Sequence, residues 1–399
     1  SGARISANAV ESGNGGVVIL WSDGDTLFSG DISARALGAT GNGGFAEISG
    51  KQNLGFDGVA DVTALNGTSG TILLDPTNVT ISSQTASASI VNNIALSNLL
   101  DLGNNVVITS NFGAAGPAGD ITVGRNTSQT VANGDRVEWY QQSAGTTPGT
   151  LSLLAVGNIT FNTSVRSAGT GGINIVAGWD GMTGIVDPLS AGAQTVPGGF
   201  NMAAVLATMP GGMNETATDA AGLNGGSVFI NTNGGQTAVN VGSRFGDTNV
   251  AAHDLVLKAS NGNIERFAQL GFNDTGVEYQ IGLTNNGLRN EWWGSDAAAD
   301  GTGFTASGNI QNKNYIALLG GTRAAGGSFD GAGGGANGNI TARVSGKVDM
   351  RTGDDDRSFV QIGHGGNTQN GMEQERTTAI TSYSTRDGHT IDSGDTGRM

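Results

Sequence analysis

The sequence contains no cysteine, only 6 prolines and few charged residues, which make up 13% of its 399 residues. The absence of cysteine excludes disulfide bonds, thiol catalysis and thiolate metal sites. The scarcity of proline, together with the absence of a three-residue glycine period, excludes a collagen-like chain. No apolar run approaches the ~18 residues that a membrane-spanning helix needs, so we expect no membrane-spanning segment.

Basic residues are also scarce, with 19 Lys and Arg against 34 Asp and Glu. A protein that binds the nucleic-acid backbone needs clustered positive charge, and no basic cluster occurs in this chain. The composition therefore predicts no nucleic-acid partner. An acidic surface is also repelled by anionic lipid headgroups.

Glycine is abundant instead, with 69 residues, while hydrophobic residues still make up 37% of the chain. The motif Gly-Asn-Gly-Gly at 13–16 recurs at 41–44, and Phe-Ser-Gly at 28–30 recurs as Phe-Asp-Gly at 56–58. Each repeat of roughly 25–30 residues holds three short strand patterns, which is typical of one coil of a β-helix. The glycines and asparagines supply the tight corners between strands.

The pattern changes after residue 82. Residues 86–102 have the spacing of a short helix, and Gly-polar-Ile motifs then resume, as at 119–121 and 157–159. We therefore predict an all-β, right-handed parallel β-helix (a solenoid) with loop insertions and one short helix. Its parts are N-terminal coils with ~28-residue repeats over 1–82, a transition with the helix over 83–118, and a continued β-helix over 119–399. Glycine-, asparagine- and alanine-rich segments at 180–224, 273–305 and 320–338 are predicted to bulge as loops. We expect about 14–18 coils and a rod ~70–85 Å long.

Two segments carry a family resemblance. Residues 42–51 read Asn-Gly-Gly-Phe-Ala-Glu-Ile-Ser-Gly-Lys, and residues 70–81 read Gly-Thr-Ile-Leu-Leu-Asp-Pro-Thr-Asn-Val-Thr-Ile. They resemble the filamentous-haemagglutinin-like exoproteins of two-partner secretion systems, as do residues 15–30 and Gln-Ile-Gly-His-Gly-Gly at 361–366. The resemblance is best over residues 1–180 and returns in fragments to about residue 370.

This resemblance implies a very large surface protein of a Gram-negative bacterium, exported through the outer membrane by a dedicated barrel partner. Members of the family act in adhesion, in biofilm formation or, as described for some, in haem use. We therefore expect a secreted or cell-surface fragment of a longer exoprotein. We expect no cofactor, since no pair of histidine or methionine residues stands out as axial haem ligands.

The candidate binding residues are the aromatic pairs Trp292 and Trp293, and Trp139 and Tyr140. Exposed aromatic side chains are enriched at interfaces, and flat rings grip sugars. Trp292 and Trp293 lie in a predicted loop near charged residues, which favours exposure of at least one ring. The alternative for both pairs is packing against the hydrophobic core.

Other polar residues favour structural roles. His364 lies in a glycine turn, and the run Asp354–Asp356 lacks the spacing of a calcium-binding β-roll. Hydrolysis would need two carboxylates close together on one face, and residues on neighbouring coils such as Glu47 and Asp75 could meet, but Asp75 precedes a proline turn. No nucleophile elbow or phosphate loop accompanies them. We therefore predict no catalytic or metal site and no enzyme activity.

Together these patterns predict a rod that acts in adhesion or biofilm formation, whose partners are a host receptor, a glycan or the extracellular matrix. A self-assembling extracellular fibre, whose partner is another copy of the chain, is the alternative. A polysaccharide-processing β-helix enzyme is the third and weakest interpretation.

Overall fold

The computed structural model describes residues 3–110, 119–125, 132–139, 149–186, 199–208, 226–232, 238–260, 267–272, 338–352 and 359–364. These residues form stacked coils whose strands pair in parallel with the coils before and after them. The parallel β-helix that the sequence predicts is therefore confirmed.

The coils are built from short strands. In chain order they are β1 (Arg4–Ser6), β2 (Val17–Ser22), β3 (Asp25–Phe28), β4 (Asp31–Ser33), β5 (Phe45–Gly50), β6 (Asn53–Phe56), β7 (Val59–Asp61), β8 (Thr71–Asp75), β9 (Val79–Ser82), β10 (Ile90–Asn92), β11 (Asn105–Ser110), β12 (Ile121–Val123), β13 (Val137–Trp139) and β14 (Leu151–Ala155). They continue as β15 (Ile159–Phe161), β16 (Val165–Ser167), β17 (Ile173–Ala177), β18 (Ile185–Val186), β19 (Gly199–Phe200), β20 (Ser227–Asn231), β21 (Ala238–Ser243), β22 (Thr248–Ala252), β23 (Asp254–Lys258), β24 (Phe267–Leu270), β25 (Ile340–Val344), β26 (Val348–Arg351) and β27 (Phe359–Ile362).

Three faces surround one core. The first face is β2-β5-β8-β11-β14-β17-β22-β25, and the second is β3-β6-β10-β9-β12-β15-β20-β23-β26. The third face consists of β1-β4-β7 and, beyond a helix, β13-β16-β21-β24-β27. The first face thus counts eight coils in the described residues, fewer than the 14–18 expected. In this ladder β22 pairs directly with β25.

The core is made of rows of side chains that stack along the rod. Every second residue of a strand points inward, and the parallel register places these residues directly above one another. One such row on the first face contains Ile48, Leu74, Ile108, Leu153, Ile175 and Val250, all of them fully buried. The sequence echo between 267–271 and 359–363 is likewise a register, since Phe267 stands opposite Phe359 and Leu270 opposite Ile362.

The predicted helix exists but is shorter than 86–102. Helix α1 spans Asn93–Asp101, and the Asn92 side chain caps it by accepting hydrogen bonds from the backbone N–H groups of Ile94 and Ala95, both at 3.0 Å. Residues before the cap were wrongly assigned, because Ile90–Asn92 form β10, which inserts between β6 and β9. The helix lies between β7 and β13 and takes the place of a strand on the third face.

A second helix, α2 (Met202–Thr208), lies inside the predicted loop at 180–224, together with the antiparallel pair β18 and β19. The described residues therefore contain two helices where the sequence predicts one. No helix in the described part of the chain is long and apolar enough to cross a membrane.

Polar side chains form a second ladder at the corner that precedes the second face. Asn78 Oδ1 accepts from the Asp120 N–H at 2.9 Å, Asp120 Oδ1 from the Asn158 N–H at 2.7 Å, and Asn158 Oδ1 from the Ser227 N–H at 2.9 Å. Each corner is thus fastened to the next, and backbone donors that lie outside the strand ladders are satisfied.

Side chains at the ends of two strands also donate hydrogen bonds to residues that precede the next strand. Ser110 Oγ donates to the Gly119 carbonyl at 2.6 Å, and Trp139 Nε1 donates to the Gly149 carbonyl at 2.9 Å. The strands on either side are thereby held in the positions that the ladder requires.

A buried ion pair links two further segments of the chain. Arg125 Nε and Nη2 donate to the two carboxylate oxygens of Asp135 at 2.7 and 2.8 Å, and Ser83 donates to Asp135 Oδ1 through its backbone N–H and its hydroxyl. The Asp135 side chain is only 1% exposed. Burial raises the pKa of Asp135, but the hydrogen bonds from Arg125 and Ser83 outweigh it, so that this pKa lies below its ordinary value.

We predict that Asp135→Asn lowers the free energy of unfolding by about 2–3 kcal/mol, because it leaves the Arg125 guanidinium with a neutral partner in a largely desolvated site. Asp31→Asn is the matched control. Asp31 pairs with Arg4 at the surface, where the side chains are 48% and 78% exposed, and its loss is expected to cost less than about 0.5 kcal/mol. Urea unfolding measures both; equal effects would contradict the prediction.

The same pair predicts a pH dependence. Because the folded-state pKa of Asp135 is lowered, its stabilising contribution is complete above the ordinary aspartate pKa of about 3.9 and is lost as the pH falls through the lower folded-state pKa. The difference in stability between wild type and Asp135→Asn should therefore shrink on acidification below about pH 4. A difference that stays constant down to about pH 2 would show that Asp135 does not act through its charge.

Candidate functional site: an apolar strip outside the rod

Of the four aromatic candidates, only Trp139 lies within the described residues. Its side chain is fully buried and belongs to the core, and its indole N–H is bound to the Gly149 carbonyl. Trp139 is therefore not available to a ligand at the surface. It packs in the hydrophobic core, which was the alternative interpretation of this residue. Tyr140, Trp292 and Trp293 lie outside the described residues.

The neighbouring Glu138 is also structural. Its carboxylate contacts Arg136 and, at 2.8 Å, Arg166 on the adjacent strand β16, whose side chain is 1% exposed. Burial raises the pKa of Glu138, but the charges of Arg166 and Arg136 outweigh it and hold the pKa below its ordinary value. Glu138, next to the binding candidate Trp139, therefore links neighbouring strands of the third face.

The two carboxylates considered for hydrolysis stand on the outside of the first face. Glu47 Oε1 accepts a hydrogen bond from Ser49 at 2.8 Å, and Asp75 Oδ1 accepts one from Thr109 at 2.6 Å. Asp354–Asp356 lie outside the described residues, within which no group of three or more potential metal ligands occurs. His364 lies at a corner, in hydrogen-bond contact with two other coils.

A different surface stands out from the geometry. Many strands of the first face are apolar on both sides, and their outward residues form a strip that runs along the rod. We call this the outer strip; its members are Val17, Ile19, Trp21, Phe45, Leu73, Val107, Leu154, Val176 and Ala251. It is interrupted on β5, where the polar residues Glu47 and Ser49 stand next to Ile19 and Trp21. Strands of parallel sheets that are covered on both sides have this composition.

Most of the outer strip is covered by a flap, which we define as the described residues 179–186 and 199–208. Its covering side chains include Trp179, Met202 and Val205, all of them buried, with Phe200 packed beside them. Strands β18 and β19 pair with Ile185 opposite Phe200 and set the direction of α2. The flap turns a loop predicted to bulge from the rod into a second, smaller core.

A tight turn anchors the flap where it leaves the rod. Trp179 Nε1 donates to the Thr183 carbonyl at 2.9 Å, and Asp180 Oδ1 accepts from the backbone N–H groups of Met182 and Thr183 at 2.9 and 2.7 Å. Burial raises the pKa of Asp180, but these hydrogen bonds and one from the Thr183 hydroxyl outweigh it, and the pKa is lowered. An ionised Asp180 therefore stabilises the turn.

The end of the outer strip on β2 is not covered in the described structure. Val17, Ile19 and Trp21 are 43%, 42% and 56% exposed, and they alternate along the strand with the inward-facing Val18 and Leu20. In the described residues β2 pairs only with β5. Three apolar side chains, one of them aromatic, are therefore exposed together on the outside of this strand.

Sequence reasoning missed Trp21 as a surface residue. The run Val-Val-Ile-Leu-Trp at 17–21 is apolar at every position, which predicts burial on both sides.

Comparison with protein-family models finds no match to this chain, and comparison with curated proteins finds none either. A proposal of function therefore depends on the geometry of the coils and of the outer strip, together with the sequence resemblance.

We predict that Val205→Asp detaches the flap, because it places a carboxylate in an apolar interface without a partner. The outer strip would then be exposed, and binding of a hydrophobic dye should rise several-fold, roughly in proportion to the apolar area uncovered. Ala203→Asp is the matched control on the exposed side of α2 and should leave dye binding unchanged. An equal increase for both variants would contradict the packing of α2 on the strip.

Proposed function

We propose that this chain is a stretch of a secreted or cell-surface bacterial rod that acts in adhesion or biofilm formation. The observation that carries the proposal is the group of exposed apolar side chains Val17, Ile19 and Trp21 on the outside of a stiff scaffold. The described coils, tied by continuous hydrogen-bond ladders, form a spacer that resists extension, and loops and edges on such scaffolds present binding residues.

The family resemblance of residues 42–51 and 70–81 supports the same proposal. In it, the chain is a filamentous-haemagglutinin-like exoprotein that a barrel partner exports through the outer membrane. Its partners at the cell surface are a host receptor, a glycan or matrix, and it binds them without catalysing a reaction.

The test is a binding screen of the purified protein against immobilised glycans, host-matrix proteins and preformed biofilm. We predict that the double variant Ile19→Ser and Trp21→Ser weakens binding by at least about tenfold, since a buried aromatic anchor contributes about 2 kcal/mol or more at an interface. Leu65→Ser is the matched control, because Leu65 is 65% exposed elsewhere on the rod. Absence of binding to every surface, or equal loss in the control, would refute the adhesive role of this site.

A second candidate is a self-assembling extracellular fibre. It is favoured by the strands β25 to β27, where the inward-facing residues Val348, Met350 and Ile362 are 49%, 43% and 39% exposed. Exposed apolar side chains that lie together favour association with another copy of the chain.

Electron microscopy at increasing protein concentration separates the two candidates. We expect separate rods with a coil stack about 40 Å long, given the spacing of ~4.8 Å between coils. Ordered filaments that disappear in the variant Met350→Asp would instead make the fibre the primary function.

A further inference from the structure

The dipeptide Asn-Gly occurs three times in the first described stretch of the chain, at 14–15, 42–43 and 66–67. Glycine has no side chain to shield its backbone nitrogen, so this nitrogen can approach the amide of the preceding asparagine. Attack on that amide requires a glycine N–H that is not held in a hydrogen bond and an asparagine side chain that can turn toward it. The three pairs differ in both respects.

The first two pairs are held at the corner between the third and the first face. Asn14 Oδ1 accepts from the Asn42 N–H at 2.8 Å, and Asn42 Oδ1 accepts from the N–H and the hydroxyl of Thr68 at 3.0 and 2.9 Å. The glycine N–H groups are also engaged, since Gly15 donates to the Asn42 carbonyl at 2.8 Å and Gly43 to the Thr68 carbonyl at 2.9 Å. Both reacting groups of each pair are therefore fixed between adjacent coils.

The third pair, Asn66 and Gly67, is held far less firmly. Asn66 is exposed, and its Nδ2 donates to the Gly38 carbonyl at 3.3 Å, which is longer than an ordinary N–H···O hydrogen bond. Within the described residues, Asn66 Oδ1 accepts no hydrogen bond and the Gly67 N–H donates none. The side chain can therefore turn, and the nitrogen next to it is not engaged.

Coil stacking itself requires glycine at position 67. A Cβ atom there would lie 2.1 Å from the Gly41 carbonyl oxygen and 2.8 Å from Asn42 Oδ1, distances at which the backbone would have to move. The close approach of two coils thus keeps an unshielded backbone nitrogen directly after Asn66.

We propose that Asn66 is a site of spontaneous modification, at which the Gly67 nitrogen attacks the side-chain Cγ. A bond forms between that nitrogen and Cγ, the bond from Cγ to Nδ2 breaks, and Nδ2 leaves as ammonia with the proton of the Gly67 N–H. Water then opens the cyclic imide at one of its two carbonyls and leaves aspartate or isoaspartate. The product carries a new negative charge and has lost the donor to Gly38. The proposal stands independently of the adhesive function.

Peptide mapping by mass spectrometry tests this proposal on the full chain after incubation at mildly alkaline pH. Conversion of the amide to the acid should be at least about tenfold faster at Asn66 than at Asn14 or Asn42, because two hydrogen bonds must break before either of those pairs can react. Equal conversion at the three asparagines in the folded protein would overturn the proposal. So would an Asn66 that stays unmodified.

The same incubation in urea is the matched control, because it keeps the three dipeptides and removes the coils. All three asparagines should then react at similar rates. If Asn66 kept its full advantage in the unfolded chain, neighbouring sequence rather than the fold would set the difference, and the structural assignment would fail. In Asn66→Gln, the longer side chain forms the cyclic imide far more slowly, so modification at 66 should disappear while Asn14 and Asn42 behave as in the wild type.

Discussion

The constraint on which this structure depends is the register of its parallel ladders. Side chains alternate between inside and outside along each strand, so a slip of one residue would turn an apolar row into the solvent. The inward row that begins at Ile48 shows how strictly this is kept, because Ile175 and Val250 stay in line although the chain between them includes the flap. Every insertion must therefore return the chain to the same place.

Hydrogen bonds between neighbouring segments of the chain meet this requirement. Ser110 binds Gly119, Arg125 binds Asp135, Trp139 binds Gly149, and His364 binds both Phe272 and Gly338. Their chemistry differs, but each closes the path of the chain next to a strand.

Local sequence predicts the parts of this fold that depend on local patterns. The repeats at 13–16 and 41–44, and the echo between 267–271 and 359–363, mark residues that stack on each other. The flap, the true start of α1 and the number of coils could not be predicted in the same way. Each of these features depends on which distant segment covers a strand or pairs with it. The residue pattern of a single strand does not identify that segment.

Trp21 and Trp139 illustrate the same limit at the candidate site. Both are tryptophans at or near the end of a strand, yet Trp139 points into the core and Trp21 points outward. A single exposed tryptophan is ordinary. Trp21, however, is exposed together with Val17 and Ile19 on the same side of β2, so a partner that buries Trp21 would also bury these two apolar side chains, and all three gains would contribute to one binding event.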